Sequence, residues 1–316
     1  MNQAVFHILN LLDSSERPER FTFPFSYTPH PWAEEAAEEV MAWVRGYMKA
    51  HPESELHRLG KMFGVLVAED GDGQIGYLRA FSAMLDGTYD HEGFVAPVFD
   101  LSNPDGYFKQ EEARISALNR LLNMIPAGNE TDNGETTRLK TERKQRSQAL
   151  QRWMFSQYRM LNAAGEARDL LKIFEQEKPI LSEEDFFSGK RSGKKDEGTI
   201  MPPSGAGECC APKLLQQAFL QGLKPLCMAE FWWGASPAGE VRHHGHFYPA
   251  CRSKCKPILD FMLRGLDVED NSLAQSLQGE LIDIVYEDEW LAIVNKPSGM
   301  LSVPGKLLTD SAYTRF

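Results

Sequence analysis

Two β-prone runs, Lys61-Met-Phe-Gly-Val-Leu-Val-Ala68 and Gln74-Ile-Gly-Tyr-Leu-Arg-Ala-Phe81, stand on either side of Glu69-Asp-Gly-Asp-Gly73. Branched and aromatic residues fill both runs, and the Gly/Asp segment supplies the backbone freedom of a tight turn, so the spacing predicts a β-hairpin. The acidic turn invites comparison with a calcium loop, but the full loop spacing and a closing Glu are missing, and no calcium is expected there. Set among helical stretches, this hairpin makes the chain mixed α/β, of the α+β kind.

The helical stretches show a different period. From Trp32 to Met48, Ala33, Ala36, Ala37, Val40, Met41, Val44 and Met48 recur at spacings of three and four with glutamates between them, the pattern of an amphipathic helix. Before it, Phe21 to Pro31 is rich in Pro and aromatics and reads as an extended segment. Phe94-Val-Ala-Pro-Val-Phe99 reads as an edge strand or extended loop, because Pro97 has no N–H for a central ladder. Residues 107–178 read as a helical hairpin. Its first arm, Gln110 to Met124, carries Ile115, Leu118, Leu121 and Leu122. A Gly/Asn/Asp-rich break follows, and a second, basic helix is expected from Leu139 to Phe174. Residues 188–203 are Gly-, Lys- and Ser-rich and read as a flexible loop.

Metal-type chemistry concentrates between Gly205 and Lys256. Cys209 and Cys210 sit where a helix should begin, and Leu226 to Trp233 reads as a strand. Then come Arg242-His-His-Gly-His246 and Cys251-Arg-Ser-Lys-Cys255, leading into another helix from Pro257. Thiolates are favoured near helix starts and basic residues, and zinc takes four N or S ligands. The candidate ligands of a structural zinc are therefore Cys209 or Cys210, Cys251, Cys255 and one of His243, His244 or His246. The competing account makes Cys209 and Cys227 small core residues and gives Arg242, His243, Arg252 and Lys254 to RNA phosphate. No P-loop or dinucleotide fingerprint occurs, so no dinucleotide cofactor is expected.

A net charge of −11 over 316 residues weighs against nucleic acid as a partner unless positive charge is local. It is local: residues 138–172 carry nine Lys/Arg against three acidic residues. No apolar run reaches membrane-span length, and Met1-Asn-Gln-Ala-Val-Phe-His lacks a secretory pattern. The expectation is a cytoplasmic protein without a membrane partner. Its five cysteines are then thiols or ligands and not a disulfide scaffold.

The last specific stretch is Ile284-Val-Tyr-Glu-Asp-Glu-Trp-Leu-Ala-Ile-Val-Asn-Lys-Pro-Ser-Gly-Met-Leu-Ser-Val-Pro-Gly-Lys306. By pattern it is two short strands around an acidic corner, then turn residues. The string closely resembles the opening of the catalytic domain in RluA-type RNA pseudouridine synthases, with Asn295, Lys296, Pro297 and Gly299 on the family's first motif. The resemblance implies isomerisation of uridine to pseudouridine in structured RNA, tRNA or rRNA, without a cofactor. It also implies an Asp nucleophile in a later Arg-Leu-Asp motif. No such motif occurs in these 316 residues, and His57-Arg-Leu-Gly60 has Gly in the Asp position. The expected organisation is an accessory module over 1–270 and the incomplete start of a synthase domain over 281–316, the chain as given being inactive. A chain of another class fits the same residues: an RNA- or protein-binding module, zinc-containing, without catalysis. The cysteine region also resembles, more distantly, the zinc nucleobase deaminases, but Glu208 precedes its cysteines and three residues separate Cys251 from Cys255 where that family has two.

Overall fold

The computed structural model describes residues 5–10, 16–26, 28–125, 133–176, 201–237, 239–251, 254–270, 282–296, 300–304 and 311–315. They fall into two compact units, one drawn from Met1–Glu177 and Thr199–Asp267, the other containing Val268–Phe316.

The hairpin forms the centre of the first unit. Strands β2 (Lys61–Glu69) and β3 (Ile75–Phe81) pair antiparallel, with Phe63 opposite Phe81 and Glu69 opposite Ile75. Side chains of the chain itself close the turn. Asp70 Oδ1 accepts the N–H groups of Asp72 and Gln74, each at 2.9 Å, and Arg17 holds Glu69. On its other side β2 pairs with β6 (Lys224–Trp233), also antiparallel, and the register shifts between Val67 and Ala68, opposite Pro225. Short edge strands β1 (His7–Ile8) and β7 (Phe247–Tyr248) complete a sheet ordered β1-β3-β2-β6-β7. The chain is thus mixed α/β with an antiparallel sheet.

Side chains alternate across a sheet, so each face has its own helical layer. Helix α1 (Pro31–Ala50) covers one face. Its Ala33, Ala36, Ala37, Val40 and Val44 are fully buried against Phe63, Val65, Val67, Phe81, Cys227 and Phe231. Each such Val contributes about 1.5–3 kcal/mol relative to exposure. Pro31 opens the helix and the His30 side chain caps it by accepting Trp32 N–H.

The opposite face carries α5 (Cys210–Leu220), whose Cys210, Ala211, Leu214, Leu215 and Ala218 are buried. Gly64 on β2 makes this docking close: a Cβ there would lie 2.7 Å from the Cys210 Cβ. Helix α6 (Lys256–Met262) packs beside α5 through buried Ile258, Leu259, Phe261 and Met262. Phe94 to Phe99 is an extended loop in which Val95 donates to Arg79 O.

Residues 107–178 depart from expectation. Helix α2 (Tyr107–Met124) and helix α3 (Asn133–Gln157) do form a hairpin, tied by Arg146–Glu111 and Arg143–Asn119. The second arm, however, ends at Gln157. A small hairpin of β4 (Arg159–Leu161) and β5 (Ala167–Asp169) follows, then α4 (Leu170–Gln176). Its turn is set by Gly165 at φ +84° and by Asn162, whose side-chain Oδ1 accepts Glu166 N–H. Tyr158, Leu161 and Leu170 match helical spacing, but Tyr158 and Met160 are buried by strand alternation instead. Most of the loop read over 188–203 lies outside the described residues.

In the second unit, β8 (Asp283–Glu287) and β9 (Ala292–Asn295) form an antiparallel hairpin. Asp288 closes its corner by accepting the N–H groups of Trp290 and Leu291 at 2.8 Å. Helix α7 (Ala312–Arg315) places Ala312 with Met300, and Ile282 and Val294 pack against them. Ile284, Val285, Tyr286, Leu291 and Ile293 stay exposed.

Candidate functional site

Cys209 stands at the N-cap of α5 and Cys255 at the N-cap of α6, and neither side chain caps its helix. Cys255 N–H donates to Cys251 O at 3.1 Å. The Cys209 thiol is hydrogen-bonded with both Cys251 and Cys255, and those two with each other. Cys255 is fully buried, Cys209 and Cys251 half-buried. The bond with Cys251, then burial, push the Cys209 thiol up to about 12, against the opposing bond with Cys255. The bonds from Cys209 and Cys251, with burial, raise Cys255 well above the usual thiol range. Cys209 and Cys255 are therefore thiols at neutral pH. Among the described residues no group of three or more His, Cys, Asp or Glu is disposed as a metal-binding set.

Glu230 lies beside them. It projects from the middle of β6, opposite Gly64 and Tyr248, and is 5 % exposed. One carboxylate oxygen accepts Ala211 N–H at 2.9 Å, in the first turn of α5. Burial pushes its carboxyl up to about 7, with the Ala211 bond and Arg242 acting against the rise. A carboxyl so tuned holds or releases a proton near neutral pH.

A second group adjoins the same helix start. Glu208 accepts a hydrogen bond from the Tyr158 hydroxyl, while its Oε2 is buried without a hydrogen-bond partner. Burial first, and the Glu208 charge second, raise the Tyr158 and Tyr89 hydroxyls. Lys213, 1 % exposed, donates to Phe81 O at 2.6 Å, and burial lowers its ammonium. The loop after β3 is fastened here by Ala83, at φ 50°, donating to Glu208 O. A non-glycine residue in that region marks a backbone constrained by its surroundings. The start of α5 therefore gathers thiols, carboxyls, phenols and one buried ammonium.

Of the residues singled out by sequence, Cys209, Cys251 and Cys255 are brought together. Cys210 is not among them: it faces the sheet, where its Sγ donates to Met62 O at 3.4 Å. His246 lies on the exposed loop with its ring 5.2 Å from that of His243. Arg242 is not presented to solvent as a phosphate contact would be. Its guanidinium packs over Tyr248 and Trp232 and pairs with Glu240 at 2.7 Å. His243 is exposed and Lys254 half-buried, while Arg252 lies outside the described residues. Asn295 ends β9 and Lys296 follows it, while Pro297 and Gly299 lie outside the described residues. Sequence reasoning missed Glu230, Lys213, Tyr158 and Tyr89. A carboxylate inside the apolar run Leu226–Trp233 was the one signal available for Glu230.

Among the described residues no helix is long and apolar enough to cross a membrane. No family model, no curated protein and no solved structure matches the chain.

Proposed function

We propose that this chain belongs to an RNA uridine-isomerising protein of the pseudouridine synthase type, with the first unit as its accessory module. The observation that carries this reading is the ungapped string Ile284–Lys306. Its first part forms an antiparallel hairpin with an Asp-closed corner, and Lys296 Nζ donates to Met300 O at 2.9 Å. The reaction breaks the bond between N1 of uracil and C1′ of ribose and forms one from C5 to C1′, with no cofactor. Asn295, Lys296, Pro297 and Gly299 are assigned to shaping the domain. The test is a pseudouridine map of tRNA and rRNA from cells with and without the gene. Loss of one or a few pseudouridines, restored by the gene, supports the reading. An unchanged map refutes it.

The alternative, RNA binding by the first unit without catalysis, is favoured by α3. Arg138, Lys140, Arg143, Lys144 and Arg152 on this helix are all exposed. A phosphate contact through these groups would make affinity fall with salt and fall further in Arg143→Glu/Lys144→Glu. Binding that ignores both changes removes this reading.

A further inference from the structure

We infer that the solvent face of α3 is a docking surface for the phosphate backbone of RNA, followed along one strand by the row Lys140, Lys144 and Arg152. This rests on the reading of the chain as acting on RNA, and it names the part of the first unit that holds the RNA. The cations of α3 fall into two sets. Arg143 donates to Asn119 Oδ1 at 3.2 Å, and Arg146 pairs with Glu111 at 3.3 Å and Glu142 at 3.0 Å, so both are engaged within the helical hairpin. Lys140, Lys144 and Arg152 are exposed and have no hydrogen-bond or ion-pair partner among the described residues.

Residues four apart share one face of a helix, and Lys140, Lys144, Gln148 and Arg152 form such a row. At about 100° per residue every member lies roughly 120–160° around the helix from Arg146, the residue that reaches Glu111 on α2. The row therefore looks away from α2. It is about 18 Å long at 1.5 Å per residue, close to five steps of a stacked nucleic-acid strand. Its charge is not diluted: Arg138 to Arg159 holds seven Lys/Arg and one Glu in a chain of net charge −11, and that Glu142 is held by Arg146. Thr137, Thr141, Gln145 and Gln148 are exposed on the same face. Hydroxyl and amide side chains contact phosphate and sugar, whereas a protein partner calls for an apolar or aromatic centre. None of the residues on this face is apolar, which favours RNA over an acidic protein.

The test titrates the whole chain against labelled RNA stem–loops of unrelated sequence over a range of potassium chloride. The expected result is binding that weakens with salt and is the same for each sequence. Lys140→Gln/Lys144→Gln/Arg152→Gln should flatten the slope of log affinity against log salt by about three units, whereas Arg143→Gln leaves it unchanged. The triple variant should keep the melting temperature of the unaltered chain, because its three side chains have no partner to lose. An unaltered chain that does not bind RNA overturns the inference, as does an unchanged slope in the triple variant. Displacement of the RNA by polyglutamate but not by unlabelled RNA would make the face a site for acidic protein and overturn it too. Equal displacement by a DNA stem–loop of the same sequence overturns the assignment to RNA. An unchanged pseudouridine map removes the catalytic reading and leaves each of these outcomes standing.

Discussion

The Glu230 carboxylate on β6 caps α5 from the sheet beneath it, accepting the Ala211 N–H at 2.9 Å. Helix N-termini leave N–H groups without internal partners, and here the helix's own N-cap, Cys209, does not serve them. Glu230→Ala is expected to cost about 1–3 kcal/mol, since it leaves a buried donor unsatisfied. Glu230→Gln keeps an acceptor oxygen and should cost clearly less. Urea unfolding of both variants checks the difference, and equal losses would show that the carboxyl stabilises by some other route.

Gly64 sets the distance between β2 and α5. A methyl group there would meet the Cys210 Cβ at 2.7 Å, so Gly64→Ala must push the helix away at about 1–3 kcal/mol. Cys210→Gly in the same chain removes the opposing atom and should recover part of the loss. Thermal melts of the single and double variants measure that recovery. Its absence would mean that the helix yields without cost.

His7 links acid to the edge of the sheet. It lies half-buried with Nε2 bonded to Gly93 O at 2.8 Å and its ring stacked on Tyr77. Burial lowers it below its ordinary 6.5, helped by the Arg79 charge and opposed by the Gly93 bond and Glu39. A lowered histidine means that the native state binds fewer protons than the unfolded chain. Its contribution is complete above 6.5 and is lost as pH falls through the folded value. The urea midpoint should drop on acidification below 6.5, and less so in His7→Gln, which can still donate to Gly93 O. The same drop in both chains would place the acid sensitivity elsewhere.

Asp70 settles the acidic turn. It accepts two backbone N–H groups within the turn, so Asp70→Ala should cost about 0.5–1.5 kcal/mol for each bond lost. Calcium chloride should leave the melting temperature of the unaltered chain where it was. A calcium-dependent rise would show that the turn is a cation site after all.

The hairpin and α1 were legible because their periods, two and 3.6, are carried by long runs with one buried face. The β4–β5 hairpin was not. Tyr158, Leu161 and Leu170 satisfy a helical spacing, and only the Asn162-Ala-Ala-Gly165 turn speaks against it. Thiol spacing pointed to Cys209, Cys251 and Cys255, since residues at helix starts are readable locally. Their separation from Cys210 was hidden, because adjacent residues at a helix start face different ways and only docking decides which meets the sheet. For Glu230 the carboxylate inside an apolar run was a local signal, but its partner was hidden: the Ala211 N–H reaches it only through the docking of α5 on the sheet, a long-range relation that no local pattern encodes. Arg242 illustrates the converse: its charge suggested solvent, while the aromatic faces of Trp232 and Tyr248 gave it a place to pack.

Cys209 and Cys251 are 42 positions apart (251 − 209), and α5, β6 and β7 all lie between them. A disulfide between them would therefore tie that whole excursion into a ring. For a ring of this size the unfolded chain loses conformational freedom equivalent to about 4 kcal/mol. The cluster is thus also a clasp: closing or opening it would set how tightly one helical layer and the far half of the sheet are fastened to the rest.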